Sequence, residues 1–441
     1  MIELDSWAEI TTVDEKMLQL GALTYLDKGI SGIRVHPDSA RFDGMPNWFQ
    51  KGRFDRSGLT ILIAFFSSIG FGQEQDKSLP TIDKFYPESM LKNPKTDIRY
   101  ARFAAIDIHS HMGLRLKGDR GALQKYIEVM DRNHIALSVS LDARLGDEEK
   151  HLDFLQNDLD RLLVFTHIDF RGSGVQDRPE TWACNQPGFV RTTCEQLKRA
   201  REKGIVGVKF FKQFGLTYRD ARGELLKIDD QRWQPIWQTC GELEFPILIH
   251  TGDPAAFFEP VTPRNERYEE LFRHPEWSFH GEEFPTRNEL LEARNRVIRR
   301  NPGTVFIGAH VAGNPEDLET VGQWLAEFPN LYIEIASRIG ELGRQPFTVR
   351  DFVIENQDRI LFGTDGPWPE ERLGYYWRFL ETKDEYFPYS EKRPQPQGLW
   401  FIYGLNLPDG VLRKIYYKNA LRILPSSDKL YQRAAAELGQ N

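Results

Sequence analysis

Short apolar runs alternate with segments of helical spacing along the chain from residue 104 onward. The runs cover residues 104–109, 135–141, 163–169, 205–211, 246–250, 304–310, 331–335 and 360–363. The segments between them, whose apolar residues recur at helical intervals, are 121–134, 148–162, 187–203, 231–243, 287–300, 315–328 and 348–357. Strands that alternate with helices predict βαβ units and a parallel sheet. Eight such units predict an α/β fold of the closed (β/α)8 type, a TIM barrel.

An open, doubly wound parallel sheet is the alternative fold. It requires a glycine-rich phosphate-binding turn after its first strand, whereas this chain has His109, Ser110 and His111 there. The barrel is therefore favoured, with residues 101–425 forming it, 1–100 as an N-terminal extension and 426–441 as a C-terminal tail. The interval 251–286 is predicted to be an insertion after strand 5, lying over the mouth that the βα loops form.

The N-terminal extension contains a segment typical of a signal peptide. Lys51, Arg53 and Arg56 precede the apolar stretch 59–71, and Gly70 and Gly72 supply small residues near a plausible cleavage point. One hypothesis is that Met45 is the true start and that the protein is periplasmic or secreted. The other is that the stretch is a buried element of a small N-terminal domain in a cytoplasmic protein. No apolar run reaches the 18 residues that indicate a stable membrane span.

Composition narrows the class of protein. The chain has 57 lysines and arginines against 65 aspartates and glutamates, a formal charge of −8, so nucleic-acid binding is not expected. Hydrophobic residues make up 40% of the chain and charged residues 28%, which excludes disorder as the main state. Cys184, Cys194 and Cys240 form neither a paired framework nor a CxxC motif.

Ionisable residues close several of the predicted strands, where a barrel carries its chemistry. These residues are His109, His111, Lys209, His250, His310 and Asp365. Imidazole and carboxylate ligands without thiolates suit Zn²⁺, Mn²⁺ or Fe²⁺. Three histidines and one aspartate around an ion with an open position make a catalytic arrangement, because a bound water becomes a nucleophile near neutral pH.

The motifs that carry these residues resemble those of the amidohydrolase superfamily. The matching stretches are 106–111 (IDIHSH), 246–252 (PILIHTG), 306–310 (FIGAH), 359–367 (RILFGTDGP) and 408–424 (PDGVLRKIYYKNALRIL). Within the superfamily, the chain is most similar to the amidohydrolase-related branch that includes aminocarboxymuconate-semialdehyde decarboxylase. The resemblance extends from about residue 104 to 424, and residues 1–100 lie outside it.

The resemblance implies roles for individual residues. His109, His111, His250 and Asp365 would bind one divalent metal, with zinc as the first candidate and manganese or iron as alternatives. Asp365 would also take the proton from the attacking water, and His310 would orient or polarise the substrate carbonyl or act as a base.

Three basic residues are candidates for substrate binding. Lys209 stands where binuclear members of the superfamily carry a carbamylated lysine that bridges two metals, and otherwise it pairs with an acid or binds substrate. Arg338 and Arg344 follow strand 7. Either arginine could hold a substrate carboxylate in a bidentate way, and the alternative is a salt-bridged loop.

Three functions remain open at this stage. The first is a metal-dependent hydrolase in which an activated water attacks an amide, ester or lactone carbonyl of a small molecule. The second is a metal-dependent, non-oxidative decarboxylase that uses the same ligands on a carboxylate substrate. The third is a metal-free binding barrel descended from enzymes, against which the intact ligand set argues. The sequence leaves assembly into a homo-oligomer open.

Overall fold

The computed structural model describes residues 79–81, 84–85 and 87–440 of the chain. Met45 and the apolar stretch 59–71 lie outside the described residues. The signal-peptide hypothesis and the location that depends on it therefore stay predictions. None of the helices in the described part is long and apolar enough to cross a membrane.

Eight parallel strands form one sheet in sequential order from β1 to β8. They are β1 (Ala105–Ser110), β2 (Ile135–Arg144), β3 (Leu162–His167), β4 (Gly207–Phe210), β5 (Ile247–Ile249), β6 (Phe306–Gly308), β7 (Leu331–Glu334) and β8 (Ile360–Leu361). Backbone bonds close the sheet, because Ile108 N–H donates to Phe362 O at 3.1 Å and Asp365 N–H donates to His109 O at 2.8 Å. This closure confirms the predicted TIM barrel.

Eight helices follow the strands in turn. They are α1 (Arg120–Arg132), α2 (Glu148–Leu155), α3 (Phe189–Glu202), α4 (Gln234–Glu242), α5 (Arg287–Arg300), α6 (Leu318–Glu327), α7 (Pro346–Glu355) and α8 (Glu370–Glu381). Side-chain caps fix some of their starts: Asp119 accepts from Gly121 and Ala122 N–H before α1, and Thr286 forms a capping box with Glu289 in α5.

Shorter elements occupy the loops and the C-terminal part. Short α-helical segments are Met112–Leu116, Gln213–Leu216, Tyr268–Arg273, Ala309–Ala312, Ile339–Gly343, Asp409–Arg413, Asn419–Ile423 and Asp428–Glu437. The 3₁₀ turns are Pro179–Thr181, Ala183–Asn185, Gln231–Trp233, Ala255–Phe258 and Pro275–Trp277, and Lys414–Lys418 is a π-helical turn. Three of these elements lie within 251–286, which confirms the predicted insertion after strand 5.

Some predicted boundaries are wrong. The helix expected over 148–162 ends at Leu155. A turn interrupts it, in which Asp158 O accepts from both Arg161 and Leu162 N–H at 2.9 Å, and Leu162 already begins β3. Strands 5 and 6 are also shorter than expected, so His250 and His310 follow the ends of β5 and β6 rather than closing them.

The core has two parts. The larger cluster includes apolar side chains of the outer helices, such as Leu197, Trp237 and Val297. The smaller cluster joins strand residues such as Phe165 and Leu248 to helix Asp428–Glu437. Tyr431 in that helix donates its hydroxyl to Ala104 O, just before β1, at 3.0 Å. The helix therefore covers the N-terminal end of the strands and leaves the C-terminal end for the site.

Candidate metal centre

Three of the predicted ligands meet at the seam where the barrel closes. His109 Nε2 lies 3.2 Å from His111 Nε2, and Asp365 Oδ1 lies 3.6 Å from the first nitrogen and 3.4 Å from the second. Ligands at the usual Zn–N and Zn–O distances in a tetrahedron stand roughly 3.3 Å apart. The three atoms therefore have the spacing of one face of a metal coordination shell.

A carboxylate lies behind each of these two histidines and fixes the tautomer of the neutral ring. His109 Nδ1 lies 3.0 Å from Glu334 Oε1, and His111 Nδ1 lies 2.6 Å from Asp142 Oδ1. A neutral imidazole whose Nδ1–H donates to a carboxylate presents a lone pair at Nε2. Two such lone pairs, 3.2 Å apart, can both coordinate one cation placed between them. The geometry thus fits a divalent metal.

Local backbone irregularities bring these side chains together. The register of β1 against β2 shifts between Asp107 and Ser110. Simple alternation would place Asp107 beside both histidines, but its carboxylate instead accepts from the N–H of Thr364 at 3.0 Å and from that of His109 at 3.1 Å. Asp365 has a φ of 62°, a left-handed conformation that aspartate tolerates better than most residues.

Glu334, at the end of β7, is a site residue that the sequence reasoning missed. Its side chain is fully buried, and Oε1 also accepts the backbone N–H of His310 at 2.7 Å, while Oε2 accepts that of Ala336. Burial raises the pKa of Glu334. Asp142 was missed too, although it directly follows the predicted strand 2. An acidic residue at a strand end was the available signal in both places.

His310 lies beside the candidate metal ligands, and its neutral ring has a fixed tautomer. Its φ is 57°, and its Nδ1 lies 2.8 Å from Ala336 O. A carbonyl can only accept, so Nδ1 carries the proton and Nε2 presents a lone pair. Burial lowers the pKa of His310 well below its ordinary value, which favours the neutral ring. The ring centroid lies 5.0 Å from that of His109, so His310 can serve as a base next to the ligands.

His250 lies next to His310 but not within the tight ligand group. The ring centroids of the two are 4.3 Å apart. In the described part of the chain, two groups of three have ligand atoms within 4.8 Å of one another, namely His109, His111 and Asp365, and His109, His310 and Glu334; neither includes His250. Its buried Nε2 has no hydrogen-bond partner among the described residues, and the nearest carboxylate oxygen, Asp253 Oδ1, is 3.5 Å away. Burial lowers the pKa of His250 to about 4, which keeps the ring neutral.

The basic residues singled out from the sequence have different surroundings. Lys209 is buried in β4 with Nζ 3.4 Å from His109 Nε2, and burial lowers its pKa to about 8. Arg338 is also buried, with Nη2 3.8 Å from Asp253 Oδ1, and its Nε has no partner within the described part of the chain. Arg344 is half exposed and donates two 2.8 Å bonds to Glu266, so its charge is already paired.

The chain matches several solved structures at low sequence identity. A dihydroxybenzoic acid decarboxylase from Polaromonas with bound manganese is 17% identical (76% of this chain and 99% of that chain covered, TM-score 0.42). An amidohydrolase from Burkholderia multivorans with bound zinc is 14% identical (73% and 99%, 0.40). The 4-oxalomesaconate hydratase of Rhodopseudomonas palustris is 14% identical (76% and 99%, 0.44).

A protein-family model provides the identification. The model, described as Amidohydrolase, matches residues 106–425, which is more than half of the chain and contains every candidate ligand discussed above. The match confirms the resemblance read from the motifs. The chain therefore belongs to the amidohydrolase family and is a metal-dependent enzyme.

Proposed function

We propose that the enzyme is a hydrolase that activates water against an amide, ester or lactone carbonyl of a small molecule. One observation carries the proposal: two imidazole nitrogens and a carboxylate oxygen converge within 3.6 Å of one another. When bound there, a divalent cation, with zinc as our first choice, supplies a water of lowered pKa and polarises the carbonyl. We include His250 as a fourth ligand, because its buried Nε2 lacks a partner among the described residues.

The remaining groups of the site serve proton transfer and substrate orientation. Asp365 directs Oδ1 toward the histidine nitrogens, while Oδ2 accepts a 3.0 Å bond from Ser337 Oγ. This bond orients the carboxylate that accepts the proton from the nucleophilic water. His310 presents an unprotonated Nε2 and acts as the second base or orients the carbonyl. Lys209 binds substrate in this mononuclear arrangement rather than bridging two metals.

A decarboxylase with the same ligands is the second candidate. The buried cationic group of Arg338, whose Nε lacks a partner among the described residues, favours it. Such a group is suited to hold a substrate carboxylate. In this reaction His310 or Asp365 would take up a proton from water and deliver it to the carbon that loses CO₂.

Metal analysis of His111→Ala tests the ligand assignment that both reactions share. The variant removes one of three converging ligand atoms, so we expect metal content well below that of the wild type after identical loading. His280→Ala is the matched control, because His280 is exposed in the insertion and bonds only Phe258 O. Equal metal content in His111→Ala and the wild type would show that the ligands are wrongly assigned.

Product detection separates the two reactions. We would incubate the metal-loaded protein with a panel of small esters, lactones and amides and with a panel of aromatic and aliphatic carboxylates. Release of acid from the first panel supports the hydrolase. Release of CO₂ from the second panel, with no acid release from the first, overturns it in favour of the decarboxylase.

A further inference from the structure

Two arginines stack on one tryptophan between the β1 and β8 loops. The guanidinium carbon of Arg115 lies 4.0 Å from the ring centroid of Trp368, and that of Arg372 lies 3.7 Å from it. The indole is held in place by its own N–H, which donates to Thr364 O at 2.8 Å. We call Arg115, Trp368 and Arg372 the rim triad.

Neither arginine of the rim triad has a charge partner in the part of the chain that the structure describes. No described carboxylate lies within 4.0 Å of either guanidinium; Arg115 is exposed, whereas Arg372 is largely buried at 9% exposure. Stacking occupies the faces of a guanidinium and leaves its N–H donors free at the edges. By contrast, Arg344 stacks on Trp400 at the same 4.0 Å, but its Nη1 and Nη2 both donate to the carboxylate of Glu266.

The rim triad adjoins the metal centre. Arg115 lies one turn after His111, and its N–H donates to His111 O at 2.9 Å. Trp368 follows Asp365 by three residues. A group held by the triad would therefore belong to a molecule that also reaches the metal ligands.

We propose that the rim triad is a substrate subsite that binds a carboxylate, so that the enzyme acts on small molecules carrying an acidic group. Two adjacent cations with no described carboxylate within 4.0 Å favour an anion between or beside them, and guanidinium edges match the planar fork of a carboxylate. This inference rests on the proposed function, since it names the substrate class of the same site. It adds residues outside the ligand set, from helix Met112–Leu116 after β1 and from the segment after β8 and the start of α8.

Calorimetric titration of the metal-loaded full chain with benzoate tests the subsite, with benzyl alcohol as the uncharged counterpart. Benzoate should bind and benzyl alcohol should not. Arg115→Met and Arg372→Met keep the length of the side chain but remove its charge and donors, and each should weaken benzoate binding by at least about tenfold. Arg115→Lys, which keeps the charge but not the planar fork, should fall between the wild type and Arg115→Met.

Arg344→Met is the matched control, because it removes an arginine that stacks on a tryptophan but is already paired, and it should leave benzoate affinity unchanged. Unfolding midpoints of all variants show whether each one is folded. The proposal is overturned if the wild type does not bind benzoate. It is also overturned if folded Arg115→Met and Arg372→Met bind benzoate as tightly as the wild type.

Metal content measured on the same samples keeps the two proposals apart. If the protein holds its full metal content and benzoate binding does not depend on Arg115 or Arg372, the subsite is wrong but the proposed function is not contradicted. Benzoate binding that depends on the arginines, in a protein that takes up no metal, supports the subsite and contradicts the proposed function. If Arg338→Met abolishes benzoate binding while Arg115→Met does not, the carboxylate is held at Arg338 and the rim triad is not its subsite.

Discussion

Glu334 links the candidate metal ligands to the candidate base, His310, although it contributes no ligand atom to the group of His109, His111 and Asp365. It accepts from the His109 ring and from the backbone N–H of His310 and Ala336. Glu334→Gln would place an amide NH₂ against one of these donors and release the His109 ring. We expect metal affinity to fall by about 10- to 100-fold, the usual effect of losing a carboxylate behind a metal-bound histidine. Competition with a chromogenic chelator measures this change.

Two comparison variants show whether the effect passes through the histidines. Asp142→Asn should lower metal affinity in the same direction, because Asp142 holds the ring of His111. Glu270→Gln changes another buried glutamate, which belongs to the insertion and bonds Arg267, and should leave metal affinity unchanged. Wild-type metal affinity in a stably folded Glu334→Gln would contradict the positioning role.

At the scale of elements, a buried ion network ties the insertion to the loop after β7. Arg267 is 1% exposed and donates to Glu270 within the insertion and to Glu341 in helix Ile339–Gly343, both at 2.8 Å. Arg267→Met would leave two buried carboxylates without their cation. We expect a loss of about 3–5 kcal/mol in the free energy of unfolding, the usual result of removing one partner of a buried pair. Urea denaturation measures it.

Arg344→Met provides the contrast within the same pair of elements. Arg344 joins the helix to Glu266 of the insertion, but both side chains are substantially exposed at 30% and 43%. An exposed ion pair contributes at most about 1 kcal/mol. If Arg267→Met and Arg344→Met lose the same free energy of unfolding, burial does not explain the strength of the Arg267 network.

Among the elements, features that depend on local sequence could be predicted, whereas those that depend on contacts between distant residues could not. Eight strands follow from local apolar runs, and the His109–His111 pair follows from its place at a strand end. The left-handed backbone at His310 could not be predicted, because its support comes from Glu334 and Ala336, which are distant in sequence. The pairing of Asp253 with Lys212 and Arg338 is equally non-local, so the surroundings of His250 were not foreseen.

At the scale of the whole molecule, the candidate centre lies where the two ends of the barrel meet. His109 and His111 come from the first strand and its loop, and Asp365 follows the last strand. Direct backbone bonds across this seam are few, and β8 itself spans only Ile360–Leu361. A cation shared by the three side chains would therefore join the first and last strands and add to the closure of the barrel.

Metal removal should for that reason destabilise the entire barrel rather than one loop. A ligand that binds only the native state at a hundredfold excess over its Kd stabilises it by about 2.7 kcal/mol. We expect chelation to lower the unfolding midpoint of the wild type and added zinc or manganese to restore it. His111→Ala should show little response to either treatment, and His280→Ala should respond like the wild type. If the midpoint of the metal-loaded wild type does not change on chelation, the cation does not link β1 to the segment after β8, and closure of the barrel depends on the backbone bonds and the packed core alone.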